Sequence, residues 1–256
     1  MGFVLASALR PGRALAQATP PGRETSENTN LWLTLNGEYE VRRRWFADYE
    51  LNLRFSGPLR EKMQFIPRLS VRYQPRSDLR FNWGYNFAET WPYGSAPVAL
   101  RFPEHRLWQQ VQYTHPVSRL TVSHRYRLEQ RWTGRTARVG DDVQVSHWVR
   151  TNRLRYRVQG ILPLPGPTFT TRRIYTNASA EAMVQWGANV QGNTFDQYRL
   201  IWLVGRRPPG GMRMETGYMQ QVVLRGNGRS IERNHTIMFT LFPSRLLAPP
   251  APAAPR

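Results

Sequence analysis

The chain has 256 residues, with 36 basic and 17 acidic side chains, a formal net charge of +19 and no cysteine. The absence of cysteine excludes disulfides, thiolate metal sites and cysteine nucleophiles. No stretch approaches about 18 uninterrupted apolar residues, so no transmembrane helix is expected. The length allows one or two domains, and all-β barrels reach this size as a single domain.

Nearly all of the positive charge is arginine, because Lys62 is the one lysine in the sequence. Arginine stays charged at any working pH and binds carboxylate or phosphate through its planar fork. Partners that fit this charge are outer-membrane lipids, lipopolysaccharide and small anionic solutes. Nucleic-acid binding is not expected, because the arginines alternate with apolar residues along strands and form no basic tail or patch.

The two ends of the chain differ in composition from the middle. Phe3–Leu9 is a short apolar run, and Ala14–Ala16 after it resembles a small-x-small cleavage site. After Phe242 the sequence is rich in alanine and proline, which is typical of a disordered tail. The expected organisation is a truncated signal peptide over 1–18, a mobile linker over 19–30, a barrel over 31–242 and a disordered tail over 243–256.

The middle of the chain alternates between apolar and polar residues with a period of 2. In the run from Leu120 to Trp132, one side carries Tyr126 and Leu128 while the other carries Arg125 and Arg127. This period predicts β-strands with one apolar and one polar face. In chain order, the alternating runs lie near 31–39, 48–55, 65–73, 79–87, 106–113, 120–132, 148–158, 170–186, 197–204, 213–222 and 231–242.

The length of these runs favours a membrane barrel. Tilted strands of about 9–11 residues cross a bilayer, whereas strands of soluble proteins are usually about 5–6 residues long. The aromatic content of 12% also suits the aromatic girdles of such a barrel. A soluble lipocalin-like barrel or β-sandwich shares the period but would turn the apolar side inward. We therefore predict an all-β, antiparallel up-and-down transmembrane β-barrel with an Arg-rich polar lumen.

Several short motifs occur together in this region: Leu31-Trp32-Leu33, His105-Arg106-Leu107-Trp108-Gln109, His124–Arg131 (HRYRLEQR), Arg153-Leu154-Arg155-Tyr156, Phe195–Leu200 (FDQYRL), Gly217-Tyr218-Met219-Gln220-Gln221 and Asn234-His235. Together they resemble a bacterial family catalogued as a domain of unknown function, number 2490. The resemblance covers about 30–242. It implies a small β-barrel in the outer membrane of a Gram-negative bacterium and brings no established activity.

Even strand numbers are the norm for bacterial single-chain barrels, so the alternating runs predict about 10–12 strands, with 10 or 12 expected and both termini in the periplasm. The polar parity assigns a set of charged residues to the lumen. The candidate anion-contacting residues are Arg54, Arg68, Arg72, Arg80, Arg106, Arg125, Arg127, Arg131, Arg153, Arg155, Arg157 and Arg199, and Arg119 shares this assignment. The lumen carboxylates are Glu38, Glu50, Glu129, Glu181 and Glu215, and Asp48 and Glu104 share the polar face.

Three functions fit this pattern. The first is a structural envelope barrel whose arginines and carboxylates pair and close the lumen. The second is a narrow anion-selective porin for acidic solutes or oligosaccharides. The third is a lipid-modifying enzyme, which is disfavoured because Ser123/His124 and Ser146/His147 are strand neighbours and should point to opposite faces. We expect no catalysis, no cofactor and no metal site.

Overall fold

The computed structural model describes residues 22, 24–57, 59–96, 98–164, 174–187, 190, 192–208, 212–226 and 228–243. Within these ranges, no helix is long and apolar enough to span a membrane. The expected signal peptide over 1–18 lies outside the described residues. So does the expected tail, apart from Pro243.

The described residues form eleven β-strands joined by turns and loops. Their alternating apolar and polar side chains produce this result, because successive side chains of a strand point to opposite faces. The strands are β1 (Glu24–Arg42), β2 (Trp45–Ser56), β3 (Glu61–Arg76), β4 (Leu79–Thr90), β5 (Phe102–Val117), β6 (Leu120–Val139), β7 (Asp142–Pro163), β8 (Ile174–Trp186), β9 (Phe195–Arg206), β10 (Arg213–Leu224) and β11 (Ser230–Phe242).

The strands close into one barrel in which each strand pairs with its neighbours in sequence. These pairs are antiparallel, but β1 and β11 close the ring in parallel, with Leu31 opposite Ile237. The barrel fold and a count between 10 and 12 are confirmed, whereas the expected even number is wrong: the count is eleven. Strand β1 also begins at Glu24, so the segment 24–30 belongs to the barrel wall and is not a mobile linker.

The barrel has two rims that differ in their connections. We call one the turn rim, since it carries the two-residue connections 43–44, 77–78 and 118–119. We call the other the loop rim, and it carries the longer connections 57–60 and 91–101 beside one two-residue connection, 140–141. The odd strand count places the start of β1 at the loop rim and the end of β11 at the turn rim. The expectation that both ends share one side is therefore wrong for the barrel wall.

The wall turns its large apolar side chains outward and its charges inward. Leu69, Trp83, Leu107, Tyr126 and Trp202 are exposed on the outer surface. The arginines and carboxylates of the opposite parity fill the interior, where many of them are buried. This arrangement is the reverse of a soluble protein, which buries apolar side chains in its core.

Close packing inside the wall depends on small residues at defined positions. The indole ring of Trp108 on β5 packs against Gly84 on β4, and a Cβ atom at Gly84 would collide with that ring. Trp108 is only 2% exposed although it points into the lumen. The lumen is thus partly filled by side chains, as expected for a barrel of this size.

Candidate functional site in the barrel lumen

The interior contains a cavity of about 1400 Å³ that extends from the turn rim to the loop rim. Glu38 and Phe242 line it near the turn rim, and Met63 and Glu232 line it near the loop rim. Among the described residues, sixteen arginines but only eight carboxylates line the cavity. The lumen therefore carries an excess of fixed positive charge.

A network of ion pairs covers the wall formed by β6 to β9. Glu129 accepts hydrogen bonds from Arg153 at 2.5 Å and from Arg155 at 2.8 Å. Arg153 also binds Asp196 at 2.9 Å, and Arg155 also binds Glu181 at 2.8 Å. All five side chains are less than one tenth exposed. Each of these charges has at least one ion-pair partner, as buried charges require.

Smaller ion-pair groups lie on the remaining wall. Arg106 and Arg131 share the carboxylate of Glu104, each at 2.6 Å. On the other side of the lumen, Arg68 donates to Glu50 at 2.7 Å. Nearer the turn rim, Arg72 pairs with two carboxylates, Glu38 at 2.6 Å and Asp48 at 3.3 Å. The side chain of Glu38 is 63% exposed and that of Asp48 is 23% exposed. Each of these four arginines is thus paired with at least one carboxylate.

Four of the twelve arginines that the sequence assigned to the lumen have no carboxylate partner within ion-pair distance among the described residues. Arg54 donates to Asn52 and Gln64, and its guanidinium carbon lies 3.4 Å from the ring centre of Trp32. Arg127 donates to Gln110 and stacks on Trp108 at 4.1 Å. Neutral amides and aromatic faces orient these cations without neutralising them.

The other two are Arg157 and Arg80, which both lie nearer the turn rim. Arg157 donates to the amide oxygen of Gln159 at 3.1 Å. Arg80 makes no side-chain hydrogen bond or ion pair to any described residue, although Glu38 and Asp48 lie close enough to attract it. Both arginines line the cavity. Each therefore offers N–H donors to a dissolved anion.

The loop between β4 and β5 folds over the loop rim towards the opposite part of the wall. The hydroxyl of Tyr93 donates to Glu232 on β11 at 3.1 Å, and burial raises the pKa of this hydroxyl. The backbone N–H of Gly94 donates to Glu61 at 2.6 Å, and the N–H of Ser95 donates to Asn28 at 2.9 Å. The loop is thus attached to β1, β3 and β11 and narrows this end of the lumen.

The sequence-predicted residues can now be placed. All twelve candidate arginines line the cavity, together with Glu38, Glu50, Glu181 and Glu215. Glu129 is completely buried beneath Arg153 and Arg155 and does not line the cavity. Glu215 accepts a hydrogen bond from the Tyr175 hydroxyl at 2.7 Å.

Arg119 was assigned to the wrong place. It is exposed in the turn between β5 and β6, where it donates to the carbonyl of Pro163 at 3.3 Å. Its parity was read as if β6 continued through the turn.

Several lumen residues were missed by the sequence analysis. Asp196 lies next to a register shift between Met183 and Val184, which hides its parity. Glu232 and its ion-pair partner Arg225 were also missed, although the alternation of β11 places Glu232 on the same face as Asn234. Tyr93 lies in a loop, where no period of 2 exists and no sequence signal could have pointed to the lumen.

The serine and histidine pairs also required one correction. A register shift at Arg135 and Thr136 makes Ser146 an extra residue in β7. Its hydroxyl therefore lies 3.1 Å from the Nδ1 atom of His147, although strand neighbours were expected to point apart. No described carboxylate bonds to His147. In the described part of the chain, no group of three or more His, Cys, Asp or Glu residues is arranged to hold a metal ion.

Comparisons with known proteins give two matches. The family model described as "Protein of unknown function (DUF2490)" matches residues 29–232. The β domain of the Bordetella autotransporter Brka is similar in structure, with a TM-score of 0.44, 9% sequence identity and coverage of 69% of this chain and 76% of that chain. No curated protein matches the sequence.

Proposed function

Because the chain belongs to the DUF2490 family, whose description assigns no activity, we propose a function from the geometry of the lumen: a narrow outer-membrane channel that favours small anions. The observation that carries this proposal is the cavity of about 1400 Å³ with twice as many arginines as carboxylates along its lining.

The membrane location is supported by the distribution of side chains across the wall. Large apolar residues such as Leu69 and Trp202 are exposed at 66% and 58% on the outer surface. A bilayer core is the solvent in which such a surface is stable, and a closed barrel leaves no unpaired strand edge in it. Strands of 12 to 22 residues are long enough to cross the bilayer when tilted.

The preference for anions follows from the arginines that no carboxylate neutralises. Rings of arginine or lysine that line a pore attract anions and exclude cations. Arg80 and Arg157 extend the positive potential towards the turn rim, Arg127 continues it through the middle of the lumen, and Arg54 extends it towards the loop rim. The cavity exceeds the ~300–1,000 Å³ of pockets that hold drug-sized ligands, so small organic anions fit as well as chloride.

A second candidate function is a structural envelope barrel with a closed lumen. The buried network around Glu129 favours it, because this network fills one side of the interior and leaves those charges paired. The attached loop around Tyr93 favours it as well, because the loop narrows one end of the lumen. The two candidates share the fold and differ in whether water and ions pass.

Conductance of the refolded protein in a planar lipid bilayer tests the proposal. We expect steady conductance and, in a potassium chloride gradient, a reversal potential that favours chloride. Folding is verified in parallel by the heat-dependent mobility of the barrel on a gel. A folded protein that conducts no ions would overturn the channel and favour the structural barrel. A reversal potential that favours potassium would contradict the role of the arginines.

A further inference from the structure

The turn rim carries a dense set of exposed arginines outside the lumen network. Three carboxylates with exposed or part-exposed side chains, Glu38, Glu40 and Asp78, accompany them at or near the strand ends and turns described there. The exposed arginines of the turn rim outside the cavity lining are Arg42, Arg43, Arg44, Arg76, Arg119 and Arg206.

Most of these side chains are not neutralised by a neighbour. Arg76 pairs with Asp78 at 3.1 Å, and Arg119 donates to a backbone carbonyl. Arg42, Arg43 and Arg44 form no ion pair with any described residue. Unpaired arginines at the rim repel one another because they carry like charges. Negative groups outside the protein would stabilise such a cluster.

The loop rim does not share this charge pattern. Its arginines are interspersed with carboxylates, and one of these, Glu27, lies 3.7 Å from Arg233. The carboxylates at or near the loop rim include Glu24, Glu27, Glu61, Asp141 and Asp142. The positive potential outside the lumen is therefore concentrated at one end of the barrel.

Aromatic side chains cover the outer wall directly beside the turn rim. Trp45 and Tyr73 lie next to the Arg42–Arg44 turn, with their ring centres 4.7 Å apart. Near the turn that holds Arg119, the rings of Tyr113 and His115 stack at 5.6 Å. Amphipathic rings at this position are typical of the level where lipid headgroups begin.

We propose that the turn rim binds the phosphate groups of anionic phospholipids in the adjacent leaflet. The inference depends on the membrane location proposed above and is independent of whether the lumen conducts. Two-residue turns keep the arginines at the level of the headgroups, and the guanidinium fork matches a phosphate. Short turns are typical of the periplasmic end of such barrels, where the leaflet consists of phospholipid.

Native mass spectrometry of the folded barrel tests the proposal directly. The protein is extracted from micelles that contain equal amounts of phosphatidylglycerol and phosphatidylcholine, and the retained lipids are counted. The test variant is R42Q/R43Q/R119Q, whose three side chains lie outside the cavity lining. The matched control is R60Q/R101Q/R138Q, which removes three exposed arginines elsewhere on the barrel. Gel mobility establishes that each variant is folded.

We expect the wild-type barrel and the control variant to retain phosphatidylglycerol preferentially. Each arginine near an anionic surface contributes a factor of about five in affinity, so the test variant should lose this preference by at least about tenfold. Equal lipid retention by test and control variants would overturn the proposal. So would a test variant that keeps its lipid preference but loses chloride conductance, because the rim would then serve the pore mouth. A wild-type barrel that retains neither lipid would also overturn the proposal.

Discussion

Arg153 on β7 and Glu129 on β6 form an almost completely buried ion pair of 2.5 Å, with side chains 4% and 1% exposed. Asp196 and Arg155 extend this pair over four neighbouring strands, because Arg155 also binds Glu181 on β8. The pair therefore holds one side of the barrel together through its side chains, in addition to the backbone hydrogen bonds of the sheet.

Replacing Glu129 by glutamine should destabilise the barrel strongly. The substitution leaves Arg153 and Arg155 buried with one fewer negative charge, and breaking a buried ion pair costs about 3–5 kcal/mol. The midpoint of urea unfolding in micelles should fall accordingly. Glu40→Gln at the exposed turn rim is the control and should change the free energy of unfolding by less than about 0.5 kcal/mol. Equal midpoints for the two variants would contradict a stabilising role for the network.

Replacing Arg157 by glutamine should weaken the preference for chloride without unfolding the barrel. Arg157 lines the cavity and donates only to an amide, so its charge acts on passing ions. Removing one charge from a partly hydrated pore changes the ion energy by about 1 kcal/mol, or about fivefold in selectivity. The reversal potential in a salt gradient measures this change. The control Arg138→Gln lies outside the cavity lining, and the prediction fails if it shifts the reversal potential equally.

Replacing Tyr93 by phenylalanine should loosen the loop that narrows the loop rim. The hydroxyl bond to Glu232 contributes about 1 kcal/mol, so the detached loop should become about five times more populated. Trypsin should then cut after Arg101 faster than in the wild-type protein. Tyr113→Phe is a suitable control, since the Tyr113 hydroxyl forms no hydrogen bond with the described residues. Unchanged cleavage at Arg101 would show that the backbone contacts of Gly94 and Ser95 alone hold the loop.

Single cysteines can report the two faces of the wall, because the natural chain has none. Ser179 lines the cavity and its neighbour Ala180 points outward. In vesicles, Ser179→Cys should react with charged methanethiosulfonates, and Ala180→Cys should not. The anionic reagent should react about tenfold faster than the cationic one in the arginine-rich lumen. Faster labelling of Ala180→Cys would mean that the faces are reversed.

The fold was largely predictable because a period of 2 over long runs has a direct physical cause. The start of β1 was not predictable in this way, since the polar segment 24–30 has no apolar alternation. Its order arises from partners that are distant in sequence: the side-chain amides of Asn28 and Asn30 both donate to Asn234 at 3.2 Å. The parallel pairing with β11 likewise depends on closure of the whole ring.

Parity also predicted which arginines face inward, but not how they differ. Arg153, Arg155 and Arg157 look equivalent in sequence, yet the first two bind carboxylates and the third binds an amide. This difference depends on which strands become neighbours and on their register, as with Glu129 opposite Arg153. Asp196 could not be assigned to the lumen from the sequence, because a register shift beside it breaks the alternation.

The parallel pairing of β1 with β11 limits how the architecture can be altered. Removing or duplicating a whole hairpin leaves the first and last strands parallel, so the closing hydrogen bonds can form again. Removing a single strand reverses β11 relative to β1 and changes the closing ladder from slanted to perpendicular hydrogen bonds. A slip of one residue along the join, for example Leu31 opposite Met238 in place of Ile237, would set an inward side chain beside an outward one. Barrels of this type should therefore change size in steps of two strands.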